Sequence, residues 1–382
     1  MHYHDLNLRH LYAAVSVARL GSISAAAKTV NLTQPAITQA IAKLEKQAGM
    51  PLFMRTPEGM LATEAGAIIT ARAHAALDHI SSSRVTMSQV RSFLALAQNG
   101  GYAAASSAAG VTEPSLHRAV KDLAVAIGKE LVERRGRGVR LTEVGWATAR
   151  AFGLAKAELE AGLSDVAALA GREKGRIAIG AMPLCRARLL PMTMAAFLRE
   201  HPETEISITE GSYKELLEPL RDGDLDFMIG ALRERAARDV EQSPLFEDRP
   251  IVVGRPGHPL MGRRPRQQDL ARYPWIVPAK GAPLRRQWDD LFHGTSPSTR
   301  EAPIECGSVM VSRGVMMETN YLTLLSVDQV GAEFAAGWLV KICDAPDVSV
   351  RVVGVSSRIG WRPSKLQEAF CRVLERVAAK IK

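Results

Sequence analysis

The feature of this sequence that most constrains its fold is an internal repeat near the N-terminus. Pro35 recurs as Pro114 and Gly66 recurs as Gly145, and both pairs are 79 positions apart. At the same spacing, small, apolar and turn-forming residues also recur: Ala18/Ala97, Gly21/Gly100, Ala25/Ala104, Ala26/Ala105, Thr33/Thr112, Ala40/Ala119, Leu44/Leu123, Gly49/Gly128, Leu52/Leu131, Arg55/Arg134, Gly59/Gly138, Thr63/Thr142 and Glu64/Glu143. Because core and turn positions recur while polar positions differ, the pattern indicates a duplicated domain. We call residues 6–66 copy 1 and residues 85–141 copy 2.

Copy 1 reads as a small helical domain with tight turns. Apolar residues at helical spacing run as far as Gly21, and Ser22 can cap a second, Ala-rich helix. Thr33 is a good N-cap for a third helix, and Pro35 is tolerated in a first turn because its missing N–H is not needed there. Gly49 ends this third helix.

The third helix presents a polar outer face formed by Gln34, Thr38, Gln39 and Lys43. Glutamine can bond an adenine edge, threonine can contact thymine, and lysine can meet a phosphate. The same residue types also make an ordinary solvated surface. From residue types alone, both interpretations of this face stay open.

Copy 1 resembles the winged helix-turn-helix domain of LysR-type transcriptional regulators over about sixty contiguous residues. The residues that carry the resemblance are Leu8, Gly21, Ser22, Ile23, Ala25, Ala26, Leu32 to Thr38, Ile41, Leu44, Glu45, Gly49, Pro51 to Phe53, Arg55 and Thr63 to Gly66.

The resemblance implies that the helix starting near Thr33 enters the DNA major groove. The residues implied to face the bases are Gln34, Pro35, Thr38 and Gln39, whereas Arg55 would lie on the wing against the backbone or minor groove. Position 39 is often arginine in this family, and this chain has glutamine there.

Copy 2 departs from the family pattern, since LysR-type proteins carry one such domain. Glu113 takes the place of Gln34, and an acid there is unfavourable near phosphates, whereas Arg118 adds a positive charge at the place of Gln39. The wing is far more basic than that of copy 1 through Arg134, Arg135 and Arg137. Two interpretations stay open: a second DNA contact that depends on its wing, or a spacer that holds a dimer.

Residues 142–174 read as a linker built on one long helix over 142–171. Its apolar residues fall near a 3.5-residue repeat, which indicates a packing seam: Phe152, Ala155, Leu159, Gly162, Leu163, Val166 and Leu169. The alternative is a helix packed on its own domain. In the LysR family the equivalent helix forms an antiparallel dimer interface, so the resemblance implies a homo-oligomer, dimer or tetramer, through 142–171. Residues 67–84 are expected to form a shorter connecting helix.

From residue 175 onward, strand-like and helical stretches alternate, which predicts an α/β fold with parallel sheets. The phrases at 188–191, 225–230 and 257–260 resemble the effector domain of LysR regulators. The resemblance implies two lobes like those of a periplasmic binding protein. Lobe 1 would cover about 175–250 and 348–382 and lobe 2 about 251–347, with crossovers near 247–256 and 344–350.

Candidate effector-binding residues follow the carboxyl ends of predicted strands, where ligands of α/β sheets bind. They are Met182, Pro183, Leu184, Gly230, Lys280 and Ser308. Lys280 would supply a positive charge, and Ser308 would stand at a helix N-terminus. The alternative is that these are ordinary turns and that Ser308 is only a cap.

Composition limits the remaining functions. The formal charge of +9 permits a polyanionic partner but is spread along the chain, so it does not locate one. We expect a cytoplasmic protein because no leader or apolar run of about 18 residues is present. The four cysteines lack metal-ligand spacing, and no nucleotide loop or hydrolase order is present, so neither a cofactor nor a metal is expected.

The expected partners are double-stranded DNA, a small-molecule effector and further copies of the chain, with RNA polymerase as an additional candidate. The expected function is effector-modulated DNA binding by a regulator. The alternatives are an architectural DNA-binding protein without a ligand and, less favoured, an enzyme.

Overall fold

The computed structural model describes residues 2–136, 138–172, 175–292, 304–345 and 350–381. Arg137, the side chain of Arg135 and residues 346–349 of the predicted second crossover lie outside the described residues.

Copy 1 consists of α1 (Leu8–Leu20), α2 (Ile23–Thr29) and α3 (Gln34–Ala48), the hairpin β1 (Phe53–Thr56) and β2 (Gly59–Ala62), and then α4 (Glu64–Ile80). The predicted caps are present: the Ser22 Oγ accepts from the Ala25 amide, and the Thr33 Oγ1 accepts from the Ala36 amide. Gly49 ends α3 in the left-handed region at φ 73°.

Copy 2 has the same order of elements: α5 (Met87–Asn99), α6 (Tyr102–Ala109), α7 (Glu113–Ile127), β3 (Val132–Arg135), β4 (Gly138–Leu141) and then α8 (Glu143–Leu169). Each element starts 79 positions after its counterpart in copy 1. The two copies also share a close approach. A Cβ on Gly66 would lie 1.9 Å from the Leu52 carbonyl oxygen, and one on Gly145 would lie 2.1 Å from that of Leu131. Only glycine fits where the hairpin meets the next helix.

The helix predicted over 142–171 is present as α8, capped by the Thr142 hydroxyl. It packs along α4 of the same chain, and this is the most extensive contact between any two described helices. Most of the predicted seam, including Phe152, Ala155, Leu159 and Val166, is buried within this one chain. The apolar residues of the seam are therefore covered within the chain, chiefly by α4, as the alternative of a helix packed on its own domain expects.

The second half of the chain forms two five-stranded sheets, each covered by helices. The first has the order β6 (Glu205–Glu210), β5 (Arg176–Ala181), β7 (Phe227–Ala231), β14 (Arg351–Arg358) and β8 (Val240–Asp248). The second has the order β11 (Ile304–Glu305), β10 (Trp275–Val277), β12 (Leu322–Ser326), β9 (Pro250–Gly254) and β13 (Val340–Asp344).

The helices of this half are α9 (Leu189–Glu200), α10 (Tyr213–Arg221), α11 (Gln267–Leu270), α12 (Pro283–Leu291), α13 (Val309–Glu318), α14 (Val327–Ala335) and α15 (Lys365–Ala378). The prediction of parallel sheets is only half right. β5, β6 and β7 are parallel, but β14 runs antiparallel to β7 and β8, and β9 runs antiparallel to β12 and β13. After each crossing between the lobes, the chain enters the next sheet through β9 or β14, and each of these strands runs opposite to its two neighbours.

The two crossovers lie where the sequence analysis placed them. β8 of the first sheet is followed directly by β9 of the second, and the chain returns between β13 and β14. Asp248 and Arg351 stand at these two crossings and form a buried ion pair, with the Arg351 Nε donating to the Asp248 carboxylate at 2.9 Å. This pair ties the two connections together at the hinge of the lobes.

Among the helices that the structure describes, none combines the length and apolar character needed to cross a membrane.

Candidate nucleic-acid interface and effector cleft

A surface groove of about 1220 Å³ lies between α3 and the hairpin of copy 1. It brings together six of the predicted DNA-binding residues: Thr33, Gln34, Pro35, Thr38, Gln39 and Arg55. Lys43 is exposed on the same helix, one turn beyond Gln39 and outside the groove lining. The groove is therefore a concavity with an exposed helix on one side and a wing on the other.

Local contacts fix the two walls of this groove relative to each other. The Met60 amide donates to the Gly21 carbonyl at 2.7 Å, which ties the wing to the turn before α2. Gly59 has φ 134°, and a Cβ there would lie 2.3 Å from the same carbonyl oxygen. On the other wall, the Gln34 Nε2 donates to the Ser24 Oγ at 3.2 Å and the Thr38 hydroxyl donates to the Gln34 carbonyl. These bonds hold the exposed side of α3 and the wing in place without a ligand.

The corresponding face of copy 2 is also open to solvent. Arg118 and Glu113 are exposed on α7, and Arg134 is exposed on β3. Glu113 lies 3.9 Å from His117, one turn later on the same helix. Nothing in the described part of the chain covers this face.

On lobe 1, the predicted effector residues follow β5 but point mostly inward. Met182 and Leu184 are buried in the lobe core, and Gly230 packs against Met182, where a Cβ would lie 2.4 Å from the Met182 Cβ. Pro183 is exposed. This segment can therefore offer a ligand its backbone and Pro183 rather than the Met182 and Leu184 side chains.

On lobe 2, Lys280 and Ser308 are both exposed, and each follows one of two neighbouring parallel strands. The Cys306 amide donates to the Val277 carbonyl, which holds the two strand ends side by side. The Ser308 Oγ accepts from the Val311 amide at 3.4 Å, so this serine does cap α13.

A contact between the lobes was not predicted from the sequence. The Arg188 guanidinium donates to the Asp328 carboxylate at 2.6 Å, and residues 183–185 contact α14. Arg188 belongs to lobe 1 and Asp328 to the first turn of α14 in lobe 2, so this ion pair joins the two lobes directly. No sequence signal couples two residues so far apart.

Cys185 follows β5 in lobe 1 and has no access to solvent. Its thiol lies 3.2 Å from the Met182 carbonyl and 3.3 Å from the Ile229 carbonyl, and burial raises its pKa to about 12. The thiol is therefore protonated at neutral pH and behaves as a core residue. Within the described ranges, no three His, Cys, Asp or Glu side chains are arranged to hold a metal ion.

The joint between the two halves of the chain was also not predicted. Arg72 of α4 forms ion pairs with Glu158 at 3.1 Å and Asp165 at 3.5 Å, both on α8. The same guanidinium donates to the carbonyls of Arg362 at 2.8 Å and Pro363 at 3.1 Å, just before α15. One buried side chain therefore joins the helix pair to lobe 1. The sequence signal that could have indicated this joint is an arginine within an Ala-rich helix.

Two family models match the chain. The model described as "LysR substrate binding domain" matches residues 170–379, and that of "Bacterial regulatory helix-turn-helix protein, lysR family" matches residues 8–67 and again 87–146. The relatives include the HTH-type transcriptional regulator GalR of Pseudomonas putida, 29% identical with 97% of both chains covered. The SDS degradation transcriptional activation protein of a Pseudomonas species is 30% identical, with 74% of this chain and 93% of the relative covered.

Solved structures agree on the fold. A full-length OxyR variant from Pseudomonas aeruginosa matches with a TM-score of 0.57 at 23% identity, covering 77% of this chain and 97% of that one. ArgP from Mycobacterium tuberculosis matches with a TM-score of 0.57 at 16% identity, covering 76% and 96%. Because the substrate-binding model alone covers more than half of the chain, the chain belongs to the LysR family of DNA-binding transcriptional regulators.

Proposed function

We propose that copy 1 carries sequence recognition, and that a small-molecule effector bound between the lobes modulates it. The observation that supports this most strongly is the groove of copy 1, because its walls hold the predicted base-reading residues on one exposed helix beside a fixed wing. An α-helix fits the major groove of B-form DNA, where each base pair presents a distinct pattern of donors and acceptors.

Within this proposal the residues have separate roles. Gln34, Thr38 and Gln39 contact base edges, while Lys43 and Arg55 contact phosphates and set the register. Base contacts change sequence preference, whereas phosphate contacts change affinity for all sequences.

The test starts by selecting duplexes from a random library with the full chain, so that the protein itself chooses the probe. Gln34→Ala or Thr38→Ala should weaken binding to the selected site by about 1–3 kcal/mol and leave random DNA nearly unchanged. Gln268→Ala, an exposed glutamine on lobe 2, is the matched control and should change neither. Equal losses on selected and random duplexes would refute base reading by α3.

We further propose that Lys280 and Ser308 hold the polar or anionic end of the effector. Both are exposed at adjacent strand ends of lobe 2, and a helix N-terminus beside an ammonium group favours negative charge. A ligand that contacts both lobes would stabilise their closed arrangement and thereby change the geometry of the DNA-binding part.

Ser308→Ala separates a ligand contact from a helix cap. The expected result is a melting temperature near wild type, because this cap bond is long and exposed, together with loss of stabilisation by small carboxylates in a ligand panel. Thr319→Ala, at the other end of α13, serves as the control variant. If Ser308→Ala keeps the ligand response at normal stability, the serine is only a cap.

The remaining partners follow from the family. LysR regulators form oligomers, and we propose that subunits of this chain associate through surfaces other than the covered seam of α8. RNA polymerase is a proposed partner of the DNA-bound form. Since the relatives are named as transcriptional regulators, we propose that the chain regulates transcription without catalysing a reaction.

A further inference from the structure

We propose that a single chain binds both halves of its DNA site, with copy 1 on one half-site and copy 2 on the other, and that the two half-sites differ in sequence. The inference rests on the proposed function of copy 1 and adds copy 2 as a second DNA-binding head in the same chain. It follows from the way the two copies are joined.

First, the two copies are joined by an antiparallel helix pair. A Cβ on Gly162 of α8 would lie 3.0 Å from the Cβ of Arg72 in α4. Farther along α4, His79 lines a small cavity together with Leu154, which lies earlier in α8. Beyond the end of α8, the Arg172 guanidinium donates to the Ala48 carbonyl of copy 1 at 3.3 Å. Residues farther along α4 thus lie beside earlier residues of α8, so the two helices run in opposite directions.

Second, the two copies are related by an approximate two-fold axis. Glu158 is the counterpart of His79 at the repeat spacing of 79, and these two residues line the same small cavity. Glu158 also raises the pKa of His79, against the lowering caused by burial. In a pair of equivalent domains, a residue meets its own counterpart only near a two-fold axis. The axis therefore passes through the α4–α8 pair near His79 and Glu158.

Third, this symmetry is the one that a DNA duplex presents to a protein. Two helix-turn-helix heads related by a two-fold axis match two half-sites on the same duplex, because the strands of DNA are themselves related in this way. Proteins with one head per chain need two chains to achieve this. Here one chain contains both heads and the helix pair that holds them.

Fourth, the outer face of copy 2 carries exposed cations that copy 1 lacks. Three cations replace neutral residues of copy 1 there and all are exposed: Arg118 for Gln39, Lys121 for Ala42 and Arg140 for Leu61. Arg134, at the position of Arg55, is exposed as well. Two acids on α7, Glu113 for Gln34 and Asp122 for Lys43, offset the cations gained there, so the added positive charge lies on the wing.

The residues that differ between the heads predict unlike half-sites. Arginine pairs best with guanine, glutamine with adenine, and glutamate can accept from the cytosine amino group. Copy 1 presents Gln34 and Gln39, whereas copy 2 presents Glu113 and Arg118 at the same positions. A site read by both heads is therefore not a palindrome.

The first experiment selects sites from a random duplex library with three full-length chains. They are the wild type, the double variant Gln34→Ala/Thr38→Ala, and the double variant His117→Ala/Arg118→Ala. All four positions are exposed, and thermal melting should confirm that both variants are folded. The wild type should select two unlike half-sites about one helical turn apart, or a multiple of it. Each double variant should lose sequence preference at one half-site only.

The second experiment tests whether one chain supplies both heads. Each double variant should bind the wild-type site at least about tenfold more weakly than wild type, and an equimolar mixture of the two variants should remain as weak. If the heads came from different chains, a mixed assembly would offer one intact copy 1 and one intact copy 2, and affinity would recover.

The outcomes separate the two proposals. A palindromic site altered in both halves by the copy 1 variant, a single selected half-site, or recovery of affinity in the mixture would overturn this inference and leave copy 1 as the reader. Absence of sequence preference in the wild type would overturn the proposed function as well.

Discussion

Arg72→Ala tests whether the joint between the DNA-binding part and lobe 1 depends on one buried guanidinium. The Arg72 side chain is 11% exposed and meets two carboxylates and two carbonyl oxygens. Its removal leaves Asp165, whose side chain is 10% exposed, without its ion-pair partner, and frees both carbonyls. Breaking a buried ion pair by removing one partner destabilises a protein by about 3–5 kcal/mol.

Two residual contacts reduce this magnitude. Glu158 retains the Arg362 guanidinium at 2.8 Å, and Asp165 retains the Lys365 amide at 2.7 Å. We therefore expect a smaller loss of stability than that range, about 2–4 kcal/mol. Because unfolding of a chain with several domains need not be two-state, amide hydrogen exchange is the appropriate assay. The free energy of opening should fall by this amount for amides of α4 and α8, and it should be unchanged for amides of lobe 2.

The loss should also depend on pH. Burial already raises the pKa of Asp165 in the folded chain, although the Lys365 amide and Arg72 oppose this. Without Arg72 that pKa rises further. A carboxyl whose folded pKa lies above its unfolded value stabilises the fold below the unfolded pKa, and the contribution is lost as pH rises through the folded pKa. The effect of Arg72→Ala should therefore be smaller near pH 4 than at pH 8.

Arg19→Ala, an exposed arginine on α1, is the control and should stay within about 0.5 kcal/mol of wild type. An Arg72→Ala chain with wild-type exchange in α4 and α8 at pH 8, or with a larger loss at pH 4, would refute the reasoning.

Two further predictions concern the second wing and the joint to lobe 1. Replacing Arg134, Arg135 and Arg137 together by alanine should flatten the plot of log affinity against log salt by up to about 0.9 per lost phosphate contact, and an unchanged slope would mean that this wing does not meet DNA. Gly153→Ala should lower the free energy of opening of α8 amides in hydrogen exchange by about 1–3 kcal/mol, because its Cβ would lie 2.0 Å from the Asp222 carbonyl oxygen. Gly314→Ala, inside α13 with nothing within 4 Å, should instead stabilise by about 0.4–1 kcal/mol, and equal signs for the two variants would contradict the packing described.

The parts of the fold that local chemistry determines were predictable. Thr33, Thr142 and Gly49 act through their own hydroxyl or their own φ angle, so the helix ends they define could be read from the sequence. The repeat predicted copy 2 because both copies need glycine where the hairpin meets the next helix. The alternation of strands and helices after residue 175 could be predicted because strands such as β5 and β10 are short apolar runs.

Edge strands and strand direction were harder to predict. β8 and β13 stand at the edges of their sheets and lack a continuous apolar run: most of their residues are exposed or half-buried, and β8 contains Pro244. The apolar period of α8 indicated a packing seam but not its occupant. That occupant is α4, and the contact between them depends on how the whole chain is folded.

The same reason explains what was missed in the site. The Arg188–Asp328 pair and the carbonyl partners of Arg72 join residues separated by more than a hundred positions. The inward direction of Met182 depends on its contact with Gly230. Candidate residues on one helix, such as Gln34 and Thr38, could be placed together because helical spacing alone puts them on one face.

A structure of the full chain bound to a duplex selected from a random library tests the central claim most directly. The account predicts that α3 lies in the major groove, with a side-chain atom of Gln34 or Thr38 about 3 Å from a base edge and Arg55 at the backbone or minor groove. A complex in which the bases are contacted by another part of the chain, with the groove between α3 and the wing left open, would contradict it.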